Sequence, residues 1–419
     1  MNNEGNSYLV NDSKGILESV DSFCQYYKTI GEYISKSKII ASVDRGAFSR
    51  PHQILDLSLR EFIGKKKKSK SFAYGPESGD YEVRERIAKI ENLKHNTNYK
   101  KENIVMVPGA WSGVELVLEE LSNLKKGNSK KTKVLVFGPT HYQLFHRAIN
   151  VLGIDFVSFN FVKKDCKSVP TKWEEIETAI NLKPNAIFIT NPNNPNGDYF
   201  DSHFLKKLIK KCKERGIFVI IDEIQDFFQS KKSNGLNYNS WIKNNNVIRI
   251  DSYSKKKGLA EYRVGWVIAN EKFLGDRLTG VIGRMSGFMG NAPRAANNLI
   301  LKILELEEIK IKTGKDYFKP KLDSLQRKEK YIINALKDIP EIEFFNRESC
   351  INLTMKVNCS LTDKEFSKKL MDKGVLLMPC SGYGYLSEDT VMRFTFAERW
   401  GKIEYAIKKI KEVLHEIRE

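Results

Sequence analysis

The chain has no run of apolar residues approaching the roughly 20 needed to cross a bilayer. Its opening residues, MNNEGNSYLVNDSKG, lack the basic-then-apolar pattern of a secretory signal. Neither a membrane association nor an export leader is expected. Cysteine is scarce, with six residues at 24, 166, 212, 350, 359 and 380 and no C-x-x-C pair among them. That spacing argues against a disulfide framework or a zinc site, so no metal is expected and the compartment reads as reducing, most simply the cytoplasm. Acidic residues are in deficit, 52 against 70 basic ones, which leaves a formal charge of +18. Such an excess can mark an anionic partner. The lysines, however, are spread along the chain beside Asn and Ile. Only Lys65 to Lys68 form a run, of the kind usual in a solvated loop or helix end. Nucleic acid is not an expected partner. Internal repeats and low-complexity linkers are absent too.

What the sequence does have is alternation. From about Lys101 to Ala269, apolar runs (NIVMV, KVLVF, AIFIT, FVIID, VIRID, RVGWVIA) alternate with amphipathic stretches such as SGVELVLEELSNL and FLKKLIKKCKERG. That pattern predicts an α/β fold with a mostly parallel sheet covered on both faces. After about Asn291 the pattern changes. RAANNLILKILELEEIKIK leads into a helix–strand alternation with strands near INLTMKV and VMRFTFA, which predicts a smaller α+β domain. The expected division is 1–60 as a segment packing on the small domain, 61–290 as the large domain and 291–419 as the small one.

Open α/β sheets bind ligands beyond the carboxyl ends of their strands. Five of the apolar runs are followed there by PGAW, GPTHY, NPNNPNG, Asp222-Glu223 and SYSKKKG, each polar, Gly-rich or chemically active. The last of these continues as Ser252-Tyr-Ser254-Lys255-Lys-Lys-Gly258 and, eight residues after Lys255, Arg263-Val-Gly265. Three lysines in a row could be no more than a surface turn. Two hydroxyls and an arginine nearby instead suit a phosphate, since hydroxyls donate hydrogen bonds and a guanidinium pairs in a fork. A lysine just past a strand end can also reach an aldehyde and lose its charge as an imine. Asp222 closes an apolar run, where a carboxylate is costly unless paired. Gly109-Ala110-Trp111 opens a helix, whose first amides form an anion site.

In this order and spacing, the motifs resemble those of the class I/II aminotransferases, the fold-type I pyridoxal-phosphate enzymes, over roughly residues 55 to 400. The resemblance implies pyridoxal 5'-phosphate as cofactor, bound in the large domain as a Schiff base on Lys255. That lysine would then shuttle the α-proton. Asp222 would pair with the protonated pyridine nitrogen and keep the ring an electron sink. Asn194, in Asn191-Pro-Asn-Asn-Pro-Asn-Gly197, would donate to the ring oxygen. Gly109, Ala110, Trp111, Ser252, Ser254 and Arg263 would hold the phosphate region. His141, in Pro139-Thr-His, takes the place of the stacking aromatic, with Tyr142 next door as the alternative. Tyr74, in Tyr-Gly-Pro-x-x-Gly, would reach the phosphate of a neighbouring subunit, which implies a homodimer. Arg393, in Arg-Phe-Thr-Phe-Ala, would clamp the carboxylate of an α-amino acid or 2-oxo acid.

Two departures stand out. The family's D-x-x-Y tyrosine is Gln225 here, which can donate a hydrogen bond but is not an acid. The glycine of its L-S-x-G motif is Arg60, a possible second anion contact. With His141, these leave open a non-transaminating chemistry on the same cofactor, such as elimination, decarboxylation or reaction with oxygen. A regulator carrying this fold behind a DNA-binding domain finds no support, because the residues before the family region show no convincing helix-turn-helix. Transfer of an amino group from an α-amino acid to a 2-oxo acid is the leading expectation.

Overall fold

The computed structural model describes residues 9–44, 48, 58, 60, 61, 64, 74–124, 131–160, 173–226 and 246–419. Lys65 to Lys68, and most of the segment around Arg60, fall outside them.

The apolar runs of the middle region form one eight-stranded sheet. Its strands are β1 (Leu9–Asp12), β3 (Ile104–Pro108), β4 (Lys133–Phe137), β5 (Asp155–Asn160), β6 (Ala186–Thr190), β7 (Phe218–Asp222), β8 (Val247–Ser252) and β9 (Val264–Ile268), in the spatial order β1-β5-β4-β6-β7-β8-β9-β3. The five strands from β5 to β8 in this order run parallel to one another. Every residue of β6 and β8 is buried, because helices cover both faces of a parallel sheet. The expected α/β architecture is therefore present. Its antiparallel members are the edge strand β1 and, between β8 and β3, strand β9, which pairs antiparallel with both.

Beyond this sheet, β10 (Ile342–Phe344), β11 (Asn352–Val357), β13 (Met378–Pro379) and β14 (Val391–Thr395) form a four-stranded sheet in the order β10-β11-β14-β13. Helices Lys319–Leu336, Asp363–Asp372 and Trp400–Arg418 pack on it around Phe366, Met392, Phe394, Ile403 and Ile410.

The N-terminal residues join both regions. Strand β1 extends the large sheet, and β2 (Ala41–Ser42) pairs with β12 (Val375–Leu376). Between them runs helix α1 (Ser13–Ser35), capped by the Asp12 carboxylate accepting from Gly15 N at 2.9 Å. Its buried stripe is Ile16, Val20, Phe23, Tyr26 and Ile30. The first two lie in the core of the large sheet, whereas Tyr26 and Ile30 pack with Met371 and Leu376. No described helix is long and apolar enough to cross a membrane.

Candidate active site

The carboxyl ends of β4, β6, β7 and β8 converge as the sequence order implies. Asn193 Nδ2 donates to Pro139 O at 2.7 Å, and the hydroxyls of Thr140 and Thr190 lie 2.8 Å apart, so the loops after β4 and β6 are tied together. The Ser381–Tyr383 turn reaches the same place, where Tyr383 O accepts from Thr140 N at 3.2 Å.

Lys255 lies in the one-turn helix Tyr253–Lys256 that follows β8. Ser252 caps it, its hydroxyl oxygen accepting from Ser254 N at 3.2 Å and its hydrogen still free to donate. Burial lowers the Lys255 ammonium pKa to about 8; Arg393 and Arg263 push the same way and Asp222 opposes them. An amine in that range is a far better nucleophile at neutral pH than an ordinary lysine. Those influences also show what the fold gathers around it: Arg393, Arg263 and Asp222.

Asp222 ends β7, buried, with one oxygen accepting from Ile224 N at 3.1 Å. Burial lifts its carboxyl to about 7, since a single amide and the more distant Lys256 and Lys255 do not offset the loss of water. Such a carboxylate is short of a cation. Asn194 Oδ1 and Gln225 Oε1 are both buried without a hydrogen-bond partner, so each of these carbonyl oxygens lacks a donor.

Gly109, at φ +81°, starts the helix Gly109–Asn123 straight after β3. A Cβ there would stand 2.5 Å from Arg263 Nη2, so the guanidinium lies against bare backbone at the helix N-terminus. Gly265 is needed for the same approach, because its own Cβ would meet Gly109 C at 2.7 Å. Amides and guanidinium together make a phosphate cradle. Ala110 is buried and Trp111 part-exposed beside it.

His141, not Tyr142, faces this space. Its ring lies 5.1 Å from that of Tyr383, 5.7 Å from Trp111 and 6.1 Å from Phe23. Burial, then Arg393 and Lys255, lowers its pKa to about 3, which keeps the imidazole neutral. Tyr142 points into the sheet core, its hydroxyl within 2.8 Å of Ser158 Oγ and accepting from Asn160 Nδ2 at 2.6 Å. Arg393, on β14, donates through Nη2 to Asp44 O at 2.7 Å and through Nη1 to the Tyr383 hydroxyl. Its Nε is buried without an acceptor.

Two of the expected residues stand apart. Arg60 is exposed, and Tyr74 is 94% exposed. Conversely, sequence reasoning missed Phe23, Asp44 and Tyr383, which reach Arg393 or His141 from distant segments. The apolar periodicity of α1 was the available signal for Phe23.

This arrangement suits a flat, charged aromatic ring bearing a phosphate, and the comparisons with known proteins agree. The model of the family described as aminotransferase class I and II matches residues 50–410. The chain belongs to that family. It is therefore a pyridoxal-phosphate-dependent aminotransferase. An aspartate aminotransferase of Sulfolobus acidocaldarius is 24% identical, the match covering 98% of this chain and 99% of that protein. An S-alkyl-thiohydroximate lyase of Arabidopsis thaliana is also 24% identical, over 82% of this chain and 72% of its own. Among solved structures, an aspartate aminotransferase of Thermotoga maritima superposes with a TM-score of 0.76 at 22% identity, covering 96% of this chain and all of that one. The aminotransferase cofactor also fits the residues present. The buried Asp222, which makes no ion pair among the described residues, would suit its protonated ring nitrogen, and the Gly109–Arg263 cradle would suit its phosphate.

Proposed function

We propose that this aminotransferase attaches its cofactor at Lys255, and that the same lysine, once displaced by substrate, carries the proton between the substrate's α-carbon and the cofactor. The observation behind this is the depressed ammonium of Lys255, the one lysine of its run facing Asp222, Arg263 and Arg393 together. Pyridoxal phosphate supplies an electron sink for the substrate carbanion. Asp222 keeps that sink effective by pairing with the ring nitrogen. Asn194 and Gln225 would hold the ring oxygen, and His141 would offer the ring a neutral, flat surface. Gly109, Ala110, Trp111, Ser252, Ser254 and Arg263 hold the phosphate.

Arg393 receives the substrate's α-carboxylate. Tyr383 and the Asp44 carbonyl hold its guanidinium in place, and the unpartnered Nε adds a further donor. Arg60 would reach an anion only after its exposed side chain moved inward. The division into an N-terminal segment 1–60, a large domain 61–290 and a small domain 291–419 fits this scheme, with the carboxylate clamp on the small domain and the cofactor site on the large one.

An amino-acid half-reaction tests the proposal. Mixing the loaded enzyme with single amino acids should leave the aminated cofactor and a 2-oxo acid. Release of ammonia with the cofactor unchanged would mean elimination instead, the chemistry that the lyase relative's name describes. In the same assay Arg393→Gln should raise the amino-acid concentration for half-maximal rate roughly 30- to 100-fold, as expected for a lost charge-assisted pair. An unchanged value would move the clamp elsewhere.

We also propose a cytoplasmic homodimer in which Tyr74 serves the neighbouring chain's phosphate. Its 94% exposure and its place ahead of the large sheet support a role outside its own chain. Light scattering should give twice the chain mass of 48.2 kDa; a monomer at assay concentration would rule the shared site out.

A further inference from the structure

The three consecutive lysines differ in what holds them. Lys257 Nζ lies 2.8 Å from Glu307 Oε1 and 3.4 Å from the Phe318 ring centroid, and Glu307 also accepts from the Tyr253 hydroxyl at 2.6 Å. Lys256 pairs with Asp251 Oδ2, and Asp251 Oδ1 accepts from Ser252 N at 2.7 Å. The side chains of Lys256 and Asp251 are only 10% and 5% exposed. Lys255 makes no ion pair among the described residues.

The pairing of Lys256 is selective. Around it stand Asp222, Glu223 and Asp226 from the end of β7 and the loop after it, Asp251 from β8, and Glu91 and His95 from the helix Tyr81–His95. Arg249 takes both Glu223 and Glu91 at 2.7 Å. The Tyr199 hydroxyl donates to Asp226 at 2.5 Å. Of these carboxylates, Asp251 is the one with which the Lys256 ammonium forms an ion pair among the described residues.

Asp251 and Lys256 also bracket the reactive residue. Asp251 is fixed in the sheet opposite Trp266, and Lys256 closes the four-residue helix that carries Lys255. One turn of helix has almost no stability of its own, so its shape must be imposed from outside. We propose that the buried Asp251–Lys256 pair is a clasp that fixes the reach of Lys255, which makes both of them positioning residues for the reaction. The inference rests on Lys255 as the attachment point.

The test compares cofactor-loaded Lys256→Met, Asp251→Asn and the double variant. The readouts are kcat and KM in the half-reaction, the pH midpoint of the visible absorbance of the lysine-bound cofactor, and Tm. Each single change leaves one buried charge unpaired, so Tm should fall. The double change removes both charges, so Tm should return toward the parent value. In the double variant kcat should nonetheless stay down about tenfold to a hundredfold, as for a reacting group misplaced by about 1 Å. KM should hold and the absorbance midpoint should move by roughly one pH unit. A double variant with the parent midpoint, and kcat within about twofold, would reduce the pair to a structural salt bridge and overturn the inference, even if the single variants fail to fold. Borohydride reduction and peptide mapping of the parent enzyme separates the other failure. Cofactor found on Lys256 would refute the Lys255 attachment and the clasp with it, whereas cofactor on Lys255 together with a parent-like double variant would refute the clasp alone.

Discussion

Lys255→Ala is expected to abolish turnover while leaving the protein able to bind its cofactor. On the proposed roles, the substitution removes both the amine that would carry the cofactor and the group that would move the α-proton, and general acid–base transfer alone is typically worth ~10²–10⁴-fold. A loss of at least ~10⁴-fold in the half-reaction should accompany loss of the lysine-bound visible band. Binding should persist, because the phosphate cradle is built from Gly109 and Arg263 and Asp222 is untouched. Added small amines should restore part of the proton transfer. Their efficiency should be limited by the desolvation that lowers the lysine's own pKa to about 8. Residual activity within tenfold of the parent would show that another group moves the proton.

Asp222→Asn is the second large effect, with opposite consequences for chemistry and for stability. In the loaded enzyme the half-reaction should slow by about 10²–10³-fold, as when one preorganised electrostatic partner is removed from a transition state. Ground-state cofactor binding should weaken by only ~1.5–3 kcal/mol. In the cofactor-free protein the same change should stabilise. Burial raises the Asp222 carboxyl from 3.8 to about 7, so between those values the folded chain holds a proton that the unfolded chain has released. Stability is therefore lost as pH rises through that window, by up to ~4 kcal/mol from this one group. Asparagine carries no such penalty. The cofactor-free variant should melt above the parent at about pH 8, and the two should converge near pH 4. Loading the parent with cofactor should narrow or reverse the gap at pH 8, because the protonated ring nitrogen then pairs with the carboxylate. Equal melting temperatures of the cofactor-free proteins at both pH values would mean that Asp222 is solvated and not poised for a cation.

The middle of the molecule was legible because its chemistry is local. KVLVF, AIFIT and FVIID become strands with the bounds read from the sequence; His141 and Asn194 lie in the loops after the first two, and Asp222 closes the third. Strand β5 escaped notice because Ser158 and Asn160 interrupt its apolar pattern. They are buried nonetheless, since the Tyr142 hydroxyl satisfies both. Lys256 and Lys257 were indistinguishable from surface lysines until Asp251 and Glu307 appeared beside them. Phe23 and Tyr383 meet His141, and Asp44 meets Arg393, across more than a hundred residues of chain, which no local pattern encodes. Helix α1 carries a regular apolar stripe, but which core each part of it meets, Ile16 and Val20 one and Tyr26 and Ile30 another, is set by distant chain.

The reversal of direction at β9 has a consequence for how this enzyme can change. Because β8 and β9 are antiparallel, with Ser252 opposite Gly265, the chain leaves the sheet through the lysine and re-enters it through the arginine. Lys255 and Arg263, the proposed nucleophile and phosphate anchor, are thus two marks on a single ruler, graduated by backbone hydrogen bonds. A one-residue slip would turn every side chain of β9 over and carry Arg263 off Gly109. The spacing between them is accordingly closed to gradual drift. Helix α1 and the loop around Tyr383 lie off that ruler, so side chains can be exchanged there without moving either mark.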